Sequence, residues 1–370
     1  MKLPIYKWFR GTSHKGGAVD RWLLFGVVLL SLFGILMVYD SSVAIAIRDF
    51  SDQYYFARQQ LLWLGVGFVG LSIGSKIPYR LWYNLALPVL LGTLVLLVAV
   101  FLPGIGVRTL GAHRWINLGF TILQPAELAK FAIVLYLSVW LSHPEKDRFW
   151  SFILLLAMVV GLILLEPDLG TGAIILLIAL GIYFLSGAPI KHFFILIPIA
   201  AAGVILLALI APYRMQRLMT FVNKEQDPTG SSYQIHQVLL ALGSGGWAGV
   251  GVGMSRQKYE YLPEANTDSI FAIIGEEVGF LGATLVILTY AFIVWRGFRI
   301  ATRAPDVFAR LFSLGAVLWV AVQTLVNLGA MVSILPLTGV PLPFISYGGS
   351  SLVLLLSVMG ILLNISKYRK

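Results

Sequence analysis

DPTGSSYQIHQVLLALGSGGWAGVGVGMSRQKYEYLPEANTDSIFAIIGEEVG, residues 227–279, is a polar, glycine-rich island in an otherwise apolar chain. The thirteen residues 256–268 hold Arg256, Lys258, Glu260, Glu264, Asn266 and Asp268. The chain then re-enters apolar sequence that carries Glu276 and Glu277. A loop of this length and chemistry between regular elements is where function concentrates.

Outward from the island the sequence is greasy. Hydrophobic residues make up 58% of the chain and charged residues 12%, against about 25% charged in soluble domains. The excess falls in apolar runs of about 18 residues or more, long enough to span a bilayer. Ten spans are expected, at 22–39, 58–75, 82–102, 125–142, 150–166, 169–187, 191–211, 269–295, 311–334 and 349–365. The first is longer than the apolar core of a signal peptide and reads as a retained anchor. The chain has no cysteine, which excludes disulfides, thiolate metal sites and thiol nucleophiles.

The connections alternate in character. One set is short and basic: Lys76 and Arg80, Lys146 and Arg148, Lys191, then Arg296, Arg299, Arg303 and Arg310, with Lys367, Arg369 and Lys370 at the end. The other set, 40–57, 103–124, 212–268 and 335–348, is sparser in Lys and Arg. The positive-inside rule places the basic set and both termini in the cytoplasm. The expected fold is an all-α integral membrane protein of about ten transmembrane helices, with a large extracytoplasmic loop, 212–268, between helices 7 and 8. Residues 1–21 and 367–370 are expected as cytoplasmic tails around a membrane domain at 22–366. The net charge of +10 then suits basic loops against anionic lipid, not nucleic acid.

Each motif has a plain structural account beside a chemical one. GSGGWA, residues 243–248, fits a dinucleotide fingerprint formally, but no strand precedes it and it lies on the face away from cytoplasmic nucleotides. Its glycines serve tight turns and close backbone packing. The preceding YQIHQVLLAL suits a short helix at the membrane surface. Asp268 sits where the chain re-enters the membrane, where partial desolvation would suit a proton acceptor. The competing account is that Thr267 or Asp268 caps the following helix. Glu276 and Glu277 lie about two turns into that span, at a depth where ionisable groups are paired or functional. Glu127 and Lys130, at i and i+3 in QPAELAK, share a helix face. They form either a structural ion pair or the floor of a polar cavity. Glu166 and Asp168 in EPDLGT read as a tight-turn device. Trp115, beside His113 and Arg114 in HRWINLG, suits an interfacial anchor or a platform for a sugar face. LPLTGVPLPFISYGGSS, residues 335–351, holds three prolines and three glycines. It reads as irregular backbone buried against protein or lining a cavity.

Taken together, HRWINLG, QPAELAK, EPDLGT, SRQKYEYLPEANTDSIFAIIGEE and LPLTGVPLPFISYGGSS resemble the SEDS family of bacterial cell-envelope proteins. They follow that family's order from about residue 107 to the end. LPEANTD and SRQK look more like the FtsW division branch than the RodA elongation branch. The resemblance implies a ten-helix peptidoglycan glycosyltransferase that polymerises lipid II at the outer face of the bacterial cytoplasmic membrane. It implies as partners a class B penicillin-binding protein and other division proteins. The family's essential loop aspartate falls on Asp268, its loop tryptophan on Trp115, and its acidic–basic pair on Glu127 and Lys130.

The expected site is therefore Asp268 as catalytic base, with Trp115, Arg114, Glu127, Lys130, Arg256, Lys258, Glu264 and Glu277 on the substrate. Arg214 and Arg217 are further candidates for the diphosphate. No particular cofactor is implied; a divalent cation could share the task of holding the diphosphate, without a clear ligand cluster. The rival readings are a lipid II flippase, favoured by intramembrane charge but lacking paired broken spans, a RodA-type elongation polymerase, and a non-catalytic division scaffold.

Overall fold

The structure is a computed structural model that describes residues 17–109, 112–117, 119, 122–143, 148–210, 231–259 and 261–368. The tail before residue 17, Lys146, Arg214, Arg217, Glu260 and the last two residues lie outside the described residues.

Each expected span falls on a helix: α1 Arg21–Phe50, α2 Tyr55–Lys76, α3 Tyr79–Ala99, α4 Pro125–Trp140, α5 Phe149–Leu165, α6 Leu169–Leu185, α7 Ile190–Ile210, α9 Ile270–Thr302, α10 Val307–Met331 and α11 Gly349–Ser366. The helix α8, Ser231–Ser244, lies in the large loop. Among the described residues α1, α3, α9, α10 and α11 are long and apolar enough to cross a membrane. The shorter apolar helices are α5, α6 and the first part of α7. Leu61, Leu62, Val66 and Val69 of α2 and Leu281, Leu285 and Leu288 of α9 are exposed, an apolar surface that lipid covers and water does not favour. The protein is a multi-pass membrane protein.

The centre is built from α4, α10 and α11. Residues of α4 from Pro125 to Leu135, including the paired Glu127 and Lys130, are buried apart from Leu128, which is half-buried, as expected of a helix at the core of the bundle. On the flank, α2 and α11 meet through small residues: a Cβ on Gly360 would lie 2.3 Å from the Leu71 carbonyl oxygen. Such close backbone contact drives helix association where lipid removes the hydrophobic drive.

Three features depart from the sequence expectation. The first helix continues to Phe50 instead of giving way to a loop at 40. Nothing in SSVAIAI breaks a helix, and Ser41 Oγ donates back to the Met37 carbonyl at 2.6 Å. The 30-residue helix is about 45 Å long, more than the hydrocarbon core of about 30 Å. Second, the connection between α3 and α4 is a three-stranded antiparallel sheet, β1 Gly106–Thr109, β2 Ala112–Asn117 and β3 Ile122–Leu123, in the order β1-β2-β3. The all-α description therefore applies to the membrane part.

Third, α9 is broken at Gly279, whose φ is 66°. The glycine-rich loop fills the break. Phe280 and Leu281 donate their N–H groups to the Gly246 and Trp247 carbonyls, at 2.8 and 3.1 Å. Val250 and Gly251 donate to the Glu276 and Glu277 carbonyls, at 3.0 and 3.1 Å. A Cβ on Gly279 would lie 2.2 Å from the Gly249 nitrogen, so two backbones meet where only glycine fits. Loop backbone inserted into a helical ladder is a recognised cause of a kink.

Candidate active site

Residues 257–259 and 261–269 form turns closed by Leu262 N–H to Gln257 O at 3.0 Å and by Thr267 and Ser269 N–H to Glu264 O, both at 3.1 Å. Asp268 is at the end of this run and is only 7% exposed. It does not cap α9. The N-cap is Ser269, whose side chain makes no capping bond, and the Thr267 hydroxyl donates to the Glu264 carboxylate at 2.6 Å. Asp268 is held by its backbone, with its carbonyl accepting from Asn327 Nδ2 at 2.7 Å. Neighbouring carbonyls are held by the 335–348 segment: Ser346 Oγ donates to Thr267 O at 2.5 Å and Tyr347 N–H to Asn266 O at 2.9 Å. Ser269 Oγ donates to Asp268 Oδ1 at 3.5 Å. The carboxylate lies beside Gly339, where an added Cβ would stand 4.0 Å from Oδ2.

Glu127 and Lys130 form an ion pair of 2.7 Å in the centre of the bundle, both nearly fully buried. Lys130 Nζ also donates to Gln323 Oε1 at 2.9 Å and stands 5.2 Å from the centre of the Trp319 ring. Trp319, Gln323 and Asn327 are spaced by four on α10 and so share a face. Gln323 Nε2 donates to the Pro341 carbonyl at 2.9 Å, and Asn327 Nδ2 to the Val340 carbonyl at 2.8 Å. Gln323, bonded to Lys130, and Asn327, bonded to the Asp268 carbonyl, share one face of α10 about 6 Å apart along its axis, with Val340 and Pro341 beside them.

Trp115 and Arg114 belong to a neighbouring cluster. Trp115 lies on β2 opposite Val107 and is half-buried. Arg114 donates from Nε to Glu166 O at 3.0 Å and from an NH2 group to Pro167 O at 2.6 Å, which fastens the sheet to the α5–α6 turn. Asp168 caps α6, accepting from Thr171 N–H at 3.0 Å and Thr171 Oγ1 at 2.8 Å. It also accepts from Gln124 Nε2 at 3.3 Å. Glu166 is buried, and among the described residues neither carboxylate oxygen has a hydrogen-bond partner. The start of α6 abuts the last loop, since a Cβ on Gly170 would lie 2.5 Å from the Thr338 carbonyl oxygen. Thr338–Val340 is therefore flanked by Asp268 on one side and the α5–α6 turn on the other.

The remaining candidates sit in other surroundings. Lys258 is 4% exposed and is paired with Asp40 of α1 at 2.7 Å and with Glu277 of α9 at 2.9 Å. Burial works against its charge, but the two carboxylates outweigh burial and raise its pKa above the ordinary lysine value. Glu277 Oε1 also accepts from Ser255 N–H at 3.1 Å. Glu276 accepts from Arg256 N–H at 3.1 Å and from the Ser255 hydroxyl. Arg256 and Glu264 have exposed side chains, and Glu264 has a left-handed backbone with φ 54°. Among the described residues no group of three or more His, Cys, Asp or Glu is gathered as a metal site.

A family model described as "Cell cycle protein", FTSW_RODA_SPOVE, matches residues 21–370. The chain belongs to this family. It is 39% identical to stage V sporulation protein E of Bacillus subtilis over 97% of this chain and all of that protein. It is 42% identical to the probable peptidoglycan glycosyltransferase FtsW of Trichlorobacter lovleyi, over 94% of this chain and 93% of that one. Family members of known structure share the architecture. A chain from a peptidoglycan synthase complex that coordinates polymerisation and crosslinking superposes with TM-score 0.79 at 28% identity, covering 95% of this chain and 98% of that one. The rod shape determining protein RodA of Thermus thermophilus superposes with TM-score 0.70 at 28% identity, covering 95% and 99%.

Sequence reading missed Asp40, Gln323, Asn327 and Ser346. Gln323 and Asn327 carried a usable signal, two amides four residues apart inside an apolar span. Asp40 and Ser346 carried none, because their partners are distant in the chain.

Proposed function

We propose that this protein is a peptidoglycan glycosyltransferase that polymerises lipid II into β-1,4 glycan strands at the outer face of the bacterial cytoplasmic membrane, in cell division. The observation that carries the reading is the setting of Asp268. Its carboxylate is nearly buried and does not cap α9, and the adjoining backbone is fixed by Asn327 and Ser346. A base must be held by a rigid frame and partly withdrawn from water, and this one is.

The reaction is a one-step inverting displacement. The 4-hydroxyl oxygen of the acceptor GlcNAc attacks the anomeric carbon of the donor muramyl residue. The bond from that carbon to the diphosphate oxygen breaks, and undecaprenyl diphosphate leaves with the electron pair. Attack opposite the leaving group turns the α-linkage into a β-linkage. Asp268 takes the hydroxyl proton, help worth about 10²–10⁴-fold. The departing diphosphate needs cations; Arg256 is exposed and near in sequence, and Arg214 and Arg217 are further candidates. Trp115 offers a face to a sugar ring. Lys130, already bonded to Glu127 and Gln323, supports the site wall.

In this reading both termini and the basic connections are cytoplasmic, the membrane domain spans 22–366, and ten helices cross the bilayer. A class B penicillin-binding protein is the proposed partner for crosslinking, with other division proteins around it. The match to a chain of a polymerising and crosslinking complex supports this pairing. The test is purified protein in liposomes with lipid II, with glycan length read on gels. Asp268→Asn is expected to lower the rate about 100-fold or more, with unchanged elution and melting. A folded variant polymerising at the wild-type rate would end the base assignment. Lipid II crossing the bilayer without polymer formation would replace the reading with transport.

A further inference from the structure

Lys258, Asp40 and Glu277 form a buried cluster that the proposed chemistry does not use. Lys258 precedes Asp268 by ten residues in the loop, and Glu277 follows it by nine in α9. Their 2.9 Å contact closes the Asp268 limb into a ring at its base. The 2.7 Å contact to Asp40 ties that ring to α1, 218 residues away in the chain. Around it the loop backbone is stitched to α9 through Ser255 N–H on Glu277 and Arg256 N–H on Glu276, both at 3.1 Å. The cluster holds two carboxylates for one ammonium. Lys258 Nζ reaches one oxygen of each acid, so one ammonium bridges Asp40 of α1 and Glu277 of α9. A lysine engaged in this way is poorly placed to receive a diphosphate, which was its sequence-based role.

We propose that Asp40, Lys258 and Glu277 form a latch that positions the loop limb carrying Asp268, so that Lys258 is a positioning residue and not a substrate ligand. The inference rests on the reading of Asp268 as the base. The latch fixes one end of the limb on α1 and α9, while Asn327 and Ser346 fix the other. With both ends held, the carboxylate has one position relative to the bundle. With the latch open, the limb pivots about its Asp268 end and the reacting geometry is lost, which lowers turnover rather than affinity.

The chain has no cysteine, so a pair can be addressed chemically without background. Lys258→Met should lower polymer turnover about tenfold or more, while the lipid II concentration giving half the maximal rate moves less than about twofold. The double variant Asp40→Cys, Lys258→Cys should be equally slow. A bifunctional thiol reagent about as long as a lysine side chain should restore at least about half the wild-type rate, although no charge is returned. Either single cysteine variant should gain nothing from the reagent. A rise in half-saturating lipid II with turnover unchanged, or a cross-linked and folded protein that stays slow, overturns the proposal. A second measurement needs no activity. A nitroxide on Tyr261→Cys, exposed in the limb, should become more mobile when Lys258→Met is added or, should that chain not fold, the milder Asp40→Asn. Unchanged mobility overturns the latch. Asp268→Asn run in parallel separates the two ideas: if it polymerises normally the base reading fails, and the nitroxide result still decides the latch.

Discussion

Two buried lysines in this protein do different work. Lys130 lies on α4, with one carboxylate, one amide oxygen and one indole ring around it. Lys258 lies in a loop, with two carboxylates drawn from α1 and α9. A helix holds Lys130 in place, and the pair with Glu127 neutralises charge within that same helix. Lys258 has no helix of its own, so its ion pairs hold the loop. A buried cation on a regular element should therefore matter chiefly for stability, and one on a loop chiefly for geometry.

The largest expected effect breaks the first half of that comparison. Lys130→Met leaves Glu127 as an uncompensated buried charge and should lower stability by about 3–5 kcal/mol, read as thermal unfolding in detergent. Adding Glu127→Gln should recover most of that loss, since removing both charges of a buried pair is often near neutral. If the double variant is no better than the single, Lys130 acts through Gln323 and Trp319 instead of through Glu127. Next comes Gly279→Ala, which forces a left-handed residue with a Cβ against the Gly249 nitrogen. A cost of about 2 kcal/mol or more is expected from strain, with raised proteolysis of the 246–258 segment that packs there. Asn327→Leu removes the donor to the Asp268 and Val340 carbonyls. It should cost about 1.5 kcal/mol and slow polymerisation more than it lowers the melting temperature, because it frees the far end of the Asp268 limb. The smallest effect sharpens the comparison: Arg256→Ala, with an exposed side chain, should change stability by less than about 0.5 kcal/mol. A rise in half-saturating lipid II there would support its part in holding the diphosphate.

Much of the fold was legible because a bilayer imposes length and apolarity on every span. The ten runs were visible, but their ends were not. Helix α1 outran its expected end because helix formation continues wherever nothing breaks it, whether or not lipid surrounds it. The sheet at 106–123 was hidden because its strands are short and carry no clean alternation. In the site, Asp268 and the Glu127–Lys130 pair stood out as charges at or inside apolar sequence. The helix-cap account of Asp268 was wrong: Ser269 occupies that position, and the turns from Glu264 onward keep Asp268 one residue outside the helix. Arg114 looked like a ligand residue, and the structure shows it fastened to two backbone carbonyls.

By itself the sequence determined that this chain is a bundle of membrane helices, where its polar island lies, and which carboxylate marks the island's edge. These follow from local composition, which lipid reads residue by residue. Only the tertiary structure decided what each charge faces. Lys130 has Glu127 three residues away in the same helix, whereas nothing near Lys258 in the chain shows that it will face two carboxylates from α1 and α9. Their distant partners, Gln323 and Asp40, are 193 and 218 residues away. An ion pair is set by distance in space, and in a folded bundle that distance is fixed by packing, not by position in the chain.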